Sequence, residues 1–276
     1  MKIHCKRNFS YFCRMNSLHL PPFWHHVHHR RVVSTMLCCN ALAVEPGHFL
    51  LVTADEQTSG RGQRGTVWES AAGENLTFSV AWRNVGVAAR DQFLLSEAVA
   101  LSVAETVEEL LRATGCTEAV SVKWPNDVYV GERKICGMLI EHSLSGPHID
   151  ATMAGIGLNV NQRHFCGDAP NPVSLRQLAA QAFSRAEVME RIVRHLHAGL
   201  AMLQEGRYDE MEERFAARLF RHEEWHTYCD ADGEFQGRFA GIARNGLLTL
   251  EKASGECRTY AFKEVACVIP PMPQLG

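Results

Sequence analysis

The sequence lacks three features that would place it in special classes of protein. No apolar run approaches the roughly 20 residues that a membrane-spanning helix needs. The ten cysteines are scattered and include no Cys-x-x-Cys pair, so a disulfide framework is not expected. The formal net charge is only −3, so no overall positive charge attracts nucleic acid. We therefore expect a soluble, cytoplasmic protein with no membrane or nucleic-acid partner.

Apolar residues, by contrast, are abundant enough for a sizeable core. They make up 46% of the 276 residues, enough for one large domain and one small domain. Predicted strands cover residues 49–54, 76–82, 120–124, 137–141 and 151–160. Predicted helices cover residues 91–114, a segment that begins at a Ser184–Glu187 capping box, and residues 208–220. This mixture predicts an α+β domain over residues 32–220.

The pattern of residues changes after Phe220. Short β-like runs are separated by the turn-forming pairs Asp232-Gly233, Asn245-Gly246 and Ser254-Gly255. Five short strands in about fifty residues are typical of a small barrel-like module. We therefore predict a separate all-β domain over residues 221–270.

The first 31 residues differ from the rest of the chain. They hold six of the fourteen histidines and show no helical or strand period. We interpret residues 1–31 as a disordered tail or as translated sequence upstream of the true start. Metal binding by the His25-His26-x-His28-His29 cluster is the alternative. The tail is too short for a helix-turn-helix module, so no built-in DNA-binding domain is expected.

The most informative segment is the glycine-arginine loop at residues 57–68. Its glycines Gly60, Gly62 and Gly65 bracket Arg61 and Arg64. Glycine lets the backbone approach a ligand closely, and guanidinium groups match carboxylate and phosphate oxygens two at a time. Such a loop is suited to closing over a small anionic ligand, although a solvated surface turn would have a similar sequence.

Further polar groups occur at the ends of predicted strands. They are Ser34-Thr35, Lys123-Trp-Pro-Asn-Asp127, Arg133-Lys134 in the next turn, and Gly155-Ile-Gly-Leu-Asn159 in an apolar strand. A single lysine at a strand end is usually a solvated charge, and a tryptophan is usually part of the core. The co-occurrence of all these segments with the glycine-arginine loop indicates a single site.

In these motifs the chain resembles the biotin protein ligases, the biotin–acetyl-CoA-carboxylase ligases, from about residue 33 to 270. The resemblance implies a mixed-sheet catalytic domain of the biotin/lipoate ligase type, followed by a small SH3-like β-barrel domain. It implies the monofunctional type, which lacks the DNA-binding domain and can form a homodimer. The implied reaction has two steps: biotin and ATP give biotinyl-5′-adenylate and pyrophosphate, and biotin then passes to one lysine of a biotin carboxyl carrier domain of a carboxylase.

Electrostatics explain why this chemistry needs cations. Joining a carboxylate to a phosphate brings two anions together, so positive side chains must offset their repulsion. The candidates are Arg61, Arg64, Lys123 and Lys134. The resemblance places Lys134 on the biotin carboxylate and the adenylate, and Lys123 on the phosphate. Mg²⁺ is expected on the ATP phosphates, and no metal site made by protein ligands is predicted.

The resemblance also assigns two sets of binding residues. The biotin set is Ser34, Thr35, Met36, Gln57, Gly60, Arg61, Gly62, Gln63 and Lys134. The nucleotide set is Arg64, Trp68, Asn126, Gly155 and Asn159. Donors and acceptors on Ser34, Thr35 and Gln57 suit the ureido ring of biotin, and the strand around Gly155–Gly157 supplies an apolar slot. The amide of Asn159 can pair with adenine, whereas Trp68 can serve either the nucleotide or the core.

The catalytic set is Lys134, Lys123, Arg61 and Asp127. Asp127 can position the acceptor amine, accept its proton or help to hold Mg²⁺, or it can be a turn residue that bonds its own backbone. Two segments depart from the family: Val33-Ser34-Thr35-Met36 stands where many relatives read Asp-Ser-Thr-Asn, and Gln63 stands where some carry arginine. We expect the loop at residues 162–173 to be mobile without ligand and to become ordered over the adenylate.

Two other functions remain open on the sequence alone. A lipoate–protein ligase shares the fold and the acyl-adenylate chemistry, but is expected to carry a different arginine-glycine loop. A non-catalytic sensor of biotin or adenylate would need a DNA-binding or partner module, which the short N-terminal segment does not provide.

Overall fold

The structure is a computed structural model that describes residues 15, 17–42, 44–60, 62, 68–83, 86–167, 169 and 171–273. Its main element is a mixed seven-stranded sheet with the order β1-β2-β3-β7-β6-β5-β4. The strands are β1 (Trp24–Val32), β2 (Phe49–Gln57), β3 (Leu76–Arg83), β4 (Val120–Lys123), β5 (Asp127–Val130), β6 (Arg133–Ser145) and β7 (His148–Leu158). Only β1 and β2 run parallel, and the other neighbours are antiparallel.

Helices cover the two faces of this sheet unequally. They are α1 (Thr35–Ala41), α2 (Phe93–Ala113), α3 (Leu175–Ala179), α4 (Arg185–Gln204) and α5 (Tyr208–Ala216). The long helices α2 and α4 pack together in the main hydrophobic core, on the face that carries Leu51, Phe78 and Ile156. The short α1 covers β2, β3 and β7 on the opposite face. Much of that second face therefore stays available for a cavity.

Most of the predicted helices and strands are confirmed, and the differences lie at the residues where they begin or end. The hydroxyl of Ser184 accepts the backbone N–H of Glu187, so the predicted cap starts α4. Residues 133 and 134 are not in a turn but open β6, because β5 forms a hairpin with it. The predicted helix over 208–220 ends at Ala216, since the chain beyond it hydrogen bonds to Val122 of β4 instead.

The predicted disorder of residues 1–31 is wrong for residues 24–31, which lie in β1. Trp24 is only 8% exposed and stacks on Phe49 of β2 with ring centroids 4.7 Å apart. Two histidines of β1 contact Thr53 of β2: Nε2 of His26 lies 2.8 Å and Nδ1 of His28 lies 2.9 Å from its hydroxyl. Because histidine counts as a polar residue, the histidines of β1 hid the alternation of apolar and polar residues that would have indicated a strand. Residues 1–14 and 16 lie outside the described residues.

The predicted all-β region is a second sheet with its own small core. Its strands are β8 (His226–Asp230), β9 (Gly233–Ile242), β10 (Leu248–Lys252), β11 (Cys257–Tyr260) and β12 (Ala266–Cys267), in the order β11-β10-β9-β8-β12. The core contains Tyr228, Leu250 and Tyr260. As far as the structure describes the chain, β11 and β12 are the edges of an open sheet, so the predicted closed barrel is not observed. No described helix is long and apolar enough to cross a membrane.

Candidate active site

A cavity of about 940 Å³ lies between the face of the large sheet covered by α1 and the second sheet. Its wall brings together the predicted residues Ser34, Thr35, Met36, Gln57, Gly62, Trp68, Lys123, Asn126, Asp127, Lys134 and Gly155. These residues come from four separate stretches of the sequence and meet because β2, β4, β5, β6 and β7 belong to one sheet. A cavity of this size is within the range of small-molecule sites.

One end of the cavity, called the α1 end, is formed by Ser34, Thr35, Met36 and Gln57. Thr35 donates to Oε1 of Gln57 through its backbone N–H at 2.8 Å and through its hydroxyl at 3.1 Å. The same hydroxyl lies 2.8 Å from that of the buried Ser79 on β3. Because an N–H can only donate, the amide oxygen of Gln57 faces Thr35, and its NH₂ group is the part that a ligand can use.

Ser34 adds a second neutral polar group to this end. It is only 4% exposed, lines the cavity and precedes α1 as its N-cap residue. Among the described residues its hydroxyl makes no capping bond to the helix. Because Ser34 lines the cavity, its hydroxyl can donate a hydrogen bond to a polar ligand or accept one from it.

Two glycines of β7 leave room for side chains of the cavity wall. A Cβ built on Gly155 would lie 2.6 Å from Sδ of Met36, and one built on Gly157 would lie 2.3 Å from Cε2 of Trp68. Both distances are shorter than the contacts that real Cβ atoms make. The Gly-x-Gly motif therefore permits the packing of these two side chains. Gly155, assigned by the resemblance to the nucleotide, lies against Met36 of the biotin set.

Trp68 lies beside the charged part of the cavity. The Nζ atom of Lys134 is 6.0 Å from the centroid of its indole ring. The indole Nε1 is buried and has no hydrogen-bond partner among the described residues. Because a buried N–H without a partner is costly, this donor is suited to meet an acceptor on a ligand.

The other end of the cavity, called the lysine end, is formed by Lys123, Asp127 and Lys134. Nζ of Lys134 lies 2.6 Å from Oδ2 of Asp127. Lys123 is the strand partner of Asp127 across the β4–β5 hairpin. Burial lowers the pKa of Lys123 below its ordinary value, and the Asp127 carboxylate opposes this effect only in part. One carboxylate therefore acts on two lysines, which leaves a net positive charge at this end.

The turn between β4 and β5 is fixed by its own side chains. The amide nitrogen of Asn126 donates to the carbonyl of Met138 on β6. The indole Nε1 of Trp124 donates to the carbonyl of Gly246, in the turn between β9 and β10 of the second sheet, at 3.0 Å. Asn126 therefore has a structural partner besides its place in the cavity wall, and Trp124 ties the lysine end to the second sheet.

Several predicted residues are not brought to the cavity. Gly60 is buried, and its carbonyl accepts the backbone N–H of Trp68 at 3.2 Å. Nδ2 of Asn159 donates to the carbonyl of Val173 at 3.0 Å, so its amide points toward that segment. Neither residue belongs to the described cavity wall. The predicted residues Arg61, Gln63 and Arg64 lie outside the described residues.

Glu69 is a cavity residue that no sequence motif had indicated. Its carboxylate accepts the backbone N–H groups of Cys166 and Gly167, the latter at 2.6 Å, and the side-chain amide of Gln162. Gly167 and Ala169 also line the cavity. The segment that we expect to become ordered over a ligand is thus held by a residue that directly follows the glycine-arginine loop. Its predicted mobility stays a prediction.

The second sheet supplies a wall that no motif had indicated. Phe262, Lys263, Val265 and Ala266, in and after the connection between β11 and β12, line the cavity. Phe262 packs edge-on against Trp124 with ring centroids 6.0 Å apart. These residues lie more than 130 positions from Lys123 in the sequence, so local patterns carry no sign of the contact.

The described cavity fits a metal that arrives with its ligand. It contains the carboxylates of Asp127 and Glu69, and the described residues include no cluster of three or more His, Cys, Asp or Glu side chains that could hold a metal ion. Mg²⁺ bound mainly by phosphate oxygens and water requires few protein ligands. Asp127 is the carboxylate of the lysine end that could reach such an ion.

Comparison with known proteins agrees with this architecture. Residues 35–161 match the biotin/lipoate A/B protein ligase family. The chain is 30% identical to the bifunctional ligase/repressor BirA of Bacillus subtilis, in a match that covers 86% of this chain and 72% of that protein. It is 30% identical to the biotin–[acetyl-CoA-carboxylase] ligase of Paracoccus denitrificans, with 78% and 90% covered. The match to Escherichia coli BirA, at 31% identity, spans 72% of this chain but only 60% of that longer protein.

A solved structure extends the similarity to the whole fold. The biotin protein ligase from Aquifex aeolicus in complex with biotin and ATP superimposes with a TM-score of 0.72 at 26% identity, covering 89% of this chain and 99% of that one. Its match takes in far more of the chain than residues 35–161. The chain therefore belongs to the biotin protein ligases of the biotin/lipoate A/B protein ligase family.

Proposed function

We propose that this chain is an ATP-dependent biotin protein ligase. It activates biotin as biotinyl-5′-adenylate and transfers it to a lysine of a biotin carboxyl carrier domain. The observation that carries the proposal is the Lys134–Asp127 ion pair at one end of a cavity whose other end presents neutral donors and acceptors. Biotin has the same division, with a carboxylate at one end and an uncharged ureido ring at the other.

In the first step, a biotin carboxylate oxygen attacks the α-phosphorus of ATP, and pyrophosphate leaves with the electrons of the broken P–O bond. The two reactants are both anions, so the positive lysine end lowers their mutual repulsion and stabilises the charge that develops. Lys134 is placed to meet the carboxylate, and Lys123 to meet a phosphate. Arg61 and Arg64 are proposed to close over the same charges. Mg²⁺ supplies further charge neutralisation on the polyphosphate.

The α1 end orients the ring. A ureido group has two N–H donors and one carbonyl acceptor, and the hydroxyls of Ser34 and Thr35 with the NH₂ group of Gln57 can satisfy all three. Met36 and the backbone of β7 supply apolar contact for the rest of the ring system. Buried partners of this kind favour a ligand that satisfies them, because a ligand that does not leaves them unpaired.

In the second step, the amine of the carrier lysine attacks the activated carbonyl, and AMP leaves. The amine must lose a proton before it can attack. Asp127 is proposed to orient this amine and to accept the proton. In the described structure its carboxylate contacts Lys134 and not its own backbone, which favours a role at the site over that of a turn residue.

The second sheet is proposed to be the SH3-like domain that the resemblance implies, over residues 221–270. The carrier domain, the cytoplasmic location and a homodimer stay predictions. The similarity to ligases named for biotin, together with the α1 end, favours biotin over lipoate, since lipoate has no ureido ring. The Lys134–Asp127 pair favours an enzyme over a sensor.

The test is pyrophosphate release from MgATP with biotin, with lipoate and with neither, followed by addition of a biotin carrier domain. We expect release with biotin only, and labelling of one carrier lysine. Arg191→Gln changes a surface charge on α4, which packs on the opposite face of the sheet, and is the matched control for substitutions at the lysine end. Pyrophosphate release with lipoate and not with biotin would overturn the assignment of biotin as the substrate. Binding of biotin without any pyrophosphate release would favour a non-catalytic sensor.

A further inference from the structure

The connection between β11 and β12 contains a turn that carries an unfavourable residue. The backbone N–H of Glu264 donates to the carbonyl of Ala261 at 3.1 Å, and the Glu264 carboxylate accepts the N–H of Ala261 at 2.7 Å. Lys263, the third residue of this turn, has a φ of +70°. A turn with positive φ at its third residue favours glycine or asparagine there, because a Cβ is strained in this region.

Lys263 shares one cavity with the residues of the lysine end. It lines the cavity wall, and its Nζ is 5.7 Å from the centroid of the Phe262 ring. Phe262 in turn packs edge-on against Trp124, the residue after Lys123. This edge-on contact joins the chain neighbours of Lys263 and Lys123, although the two lysines are far apart in the sequence.

The charge of the cavity suggests what Lys263 contacts. The α1 end is neutral, and Lys134 already faces the Asp127 carboxylate. Lys263 brings a further ammonium group to the part of the cavity wall that the second sheet supplies. The polyphosphate of ATP is the most highly charged part of either substrate, and a lysine is a compact charge that suits single phosphate oxygens.

We propose that Lys263 binds the polyphosphate of ATP and is a cation that the second sheet contributes to the nucleotide subsite. The inference rests on the proposed function for the identity of the nucleotide. It explains why a strained turn carries lysine: folding alone would favour glycine, so the residue is accounted for by what its side chain binds. Strained backbone of this kind concentrates at sites where a side chain must be aimed.

The variant Lys263→Gly separates this role from a structural one, because it removes the charge and relieves the turn. We expect unchanged or higher thermal stability. The KM for ATP should rise about tenfold, because one charge-assisted hydrogen bond to the nucleotide is lost. The KM for biotin should stay within about twofold. Lys263→Arg keeps the charge and should restore most of the ATP affinity. Ala180→Gly relieves a φ of +54° outside the described cavity wall and is the matched control.

Direct binding of MgATP, measured by calorimetry without biotin, separates this inference from the proposed function. If the wild type binds MgATP more tightly than Lys263→Gly but releases no pyrophosphate with biotin, the role of Lys263 in ATP binding is supported and the proposed ligase activity is contradicted. If the wild type is active as a ligase and Lys263→Gly has the same KM for ATP, the proposed function is supported and the role of Lys263 is contradicted. Equal increases in both KM values would show a merely structural residue and also overturn the inference.

Discussion

The two ends of the cavity are built from different kinds of interaction. The α1 end relies on neutral hydrogen bonds among Thr35, Gln57 and Ser79, whereas the lysine end relies on charge. Neutral hydrogen bonds act only at short range and in a fixed geometry, while charges act over longer distances and respond to salt and pH. Recognition of an uncharged ring and handling of carboxylate and phosphate are therefore separable tasks, and substitutions should affect one without the other.

The largest expected effect is that of Lys134→Met. Removing this cation should slow biotin-dependent pyrophosphate release by about 10²- to 10³-fold, since electrostatic stabilisation of the reacting groups is lost. Biotinamide, which has the ring but no carboxylate, should bind the variant and the wild type within about twofold. Release assays and calorimetry measure the two effects. A parallel loss of biotinamide binding would show that the two ends are not separable.

Substitution of the two β7 glycines sharpens the comparison within one strand. Gly157→Ala places a methyl group against the rigid indole of Trp68, and Gly155→Ala places one against the flexible end of Met36. Overpacking against a rigid group costs about 1–3 kcal/mol, so Gly157→Ala should raise the KM for ATP about tenfold or more. Gly155→Ala should change the KM for biotin only about twofold, because the thioether can move.

A double variant provides the control for this pair. In a Trp68→Ala background the clash partner is gone, so adding Gly157→Ala should change the KM for ATP by less than about twofold. If the glycine substitution costs as much without the indole as with it, then Gly157 acts on the ligand directly.

A smaller effect is expected for Thr35→Val at the α1 end. The substitution keeps the shape but removes the hydroxyl that contacts Gln57 and Ser79. An unsatisfied buried group costs about 1–2 kcal/mol, so the KM for biotin should rise about tenfold while that for ATP stays the same. Thr249→Val, which loses a hydroxyl contact to Thr259 in the second sheet, is the control. An equal rise in the KM for ATP would contradict the separation.

The smallest effect on activity is expected at Glu97, which belongs to neither end. It is 4% exposed on α2, and burial, with the nearby Glu212 carboxylate, raises its pKa to about 8. The folded state therefore prefers the protonated form. Its contribution to stability is fully present below about pH 4.5 and is lost as pH rises toward 8.

Glu97→Gln should accordingly stabilise the fold at pH 8 by on the order of 1 kcal/mol and leave the KM values unchanged. Thermal unfolding from pH 5 to pH 9 measures the effect, with the difference between variant and wild type growing as pH rises. A constant difference across this range would show that folding does not raise the pKa of Glu97.

The lysine end could be predicted from sequence, because its residues lie close together on a hairpin. Lys123, Asp127 and Lys134 span only twelve positions, and strand pairing brings them together. Asn159 could not be placed in the same way. Alternation along β7 puts Gly155 and Gly157 on the cavity face. The strand ends at Leu158, so the alternation no longer applies at Asn159.

Other parts of the site left signals that are weak or absent. Ser79 is a hydroxyl within an otherwise apolar strand, and its place on the face of Gly155 could have indicated a buried polar contact. Glu69 follows the glycine-arginine loop and could have been read as its anchor. The contact of Phe262 with Trp124 joins distant segments, and nothing in either local sequence records it.

The hydrogen bonds of Glu69 have a kinetic consequence. They join the end of the glycine-arginine loop to the backbone of Cys166 and Gly167, so two segments that border the cavity share one carboxylate. Neither segment can withdraw from the cavity without giving up these bonds or taking its neighbour along. Opening and closing should therefore be cooperative, with one barrier for both segments, and the hydrogen bonds of Glu69 would set the rate of product release.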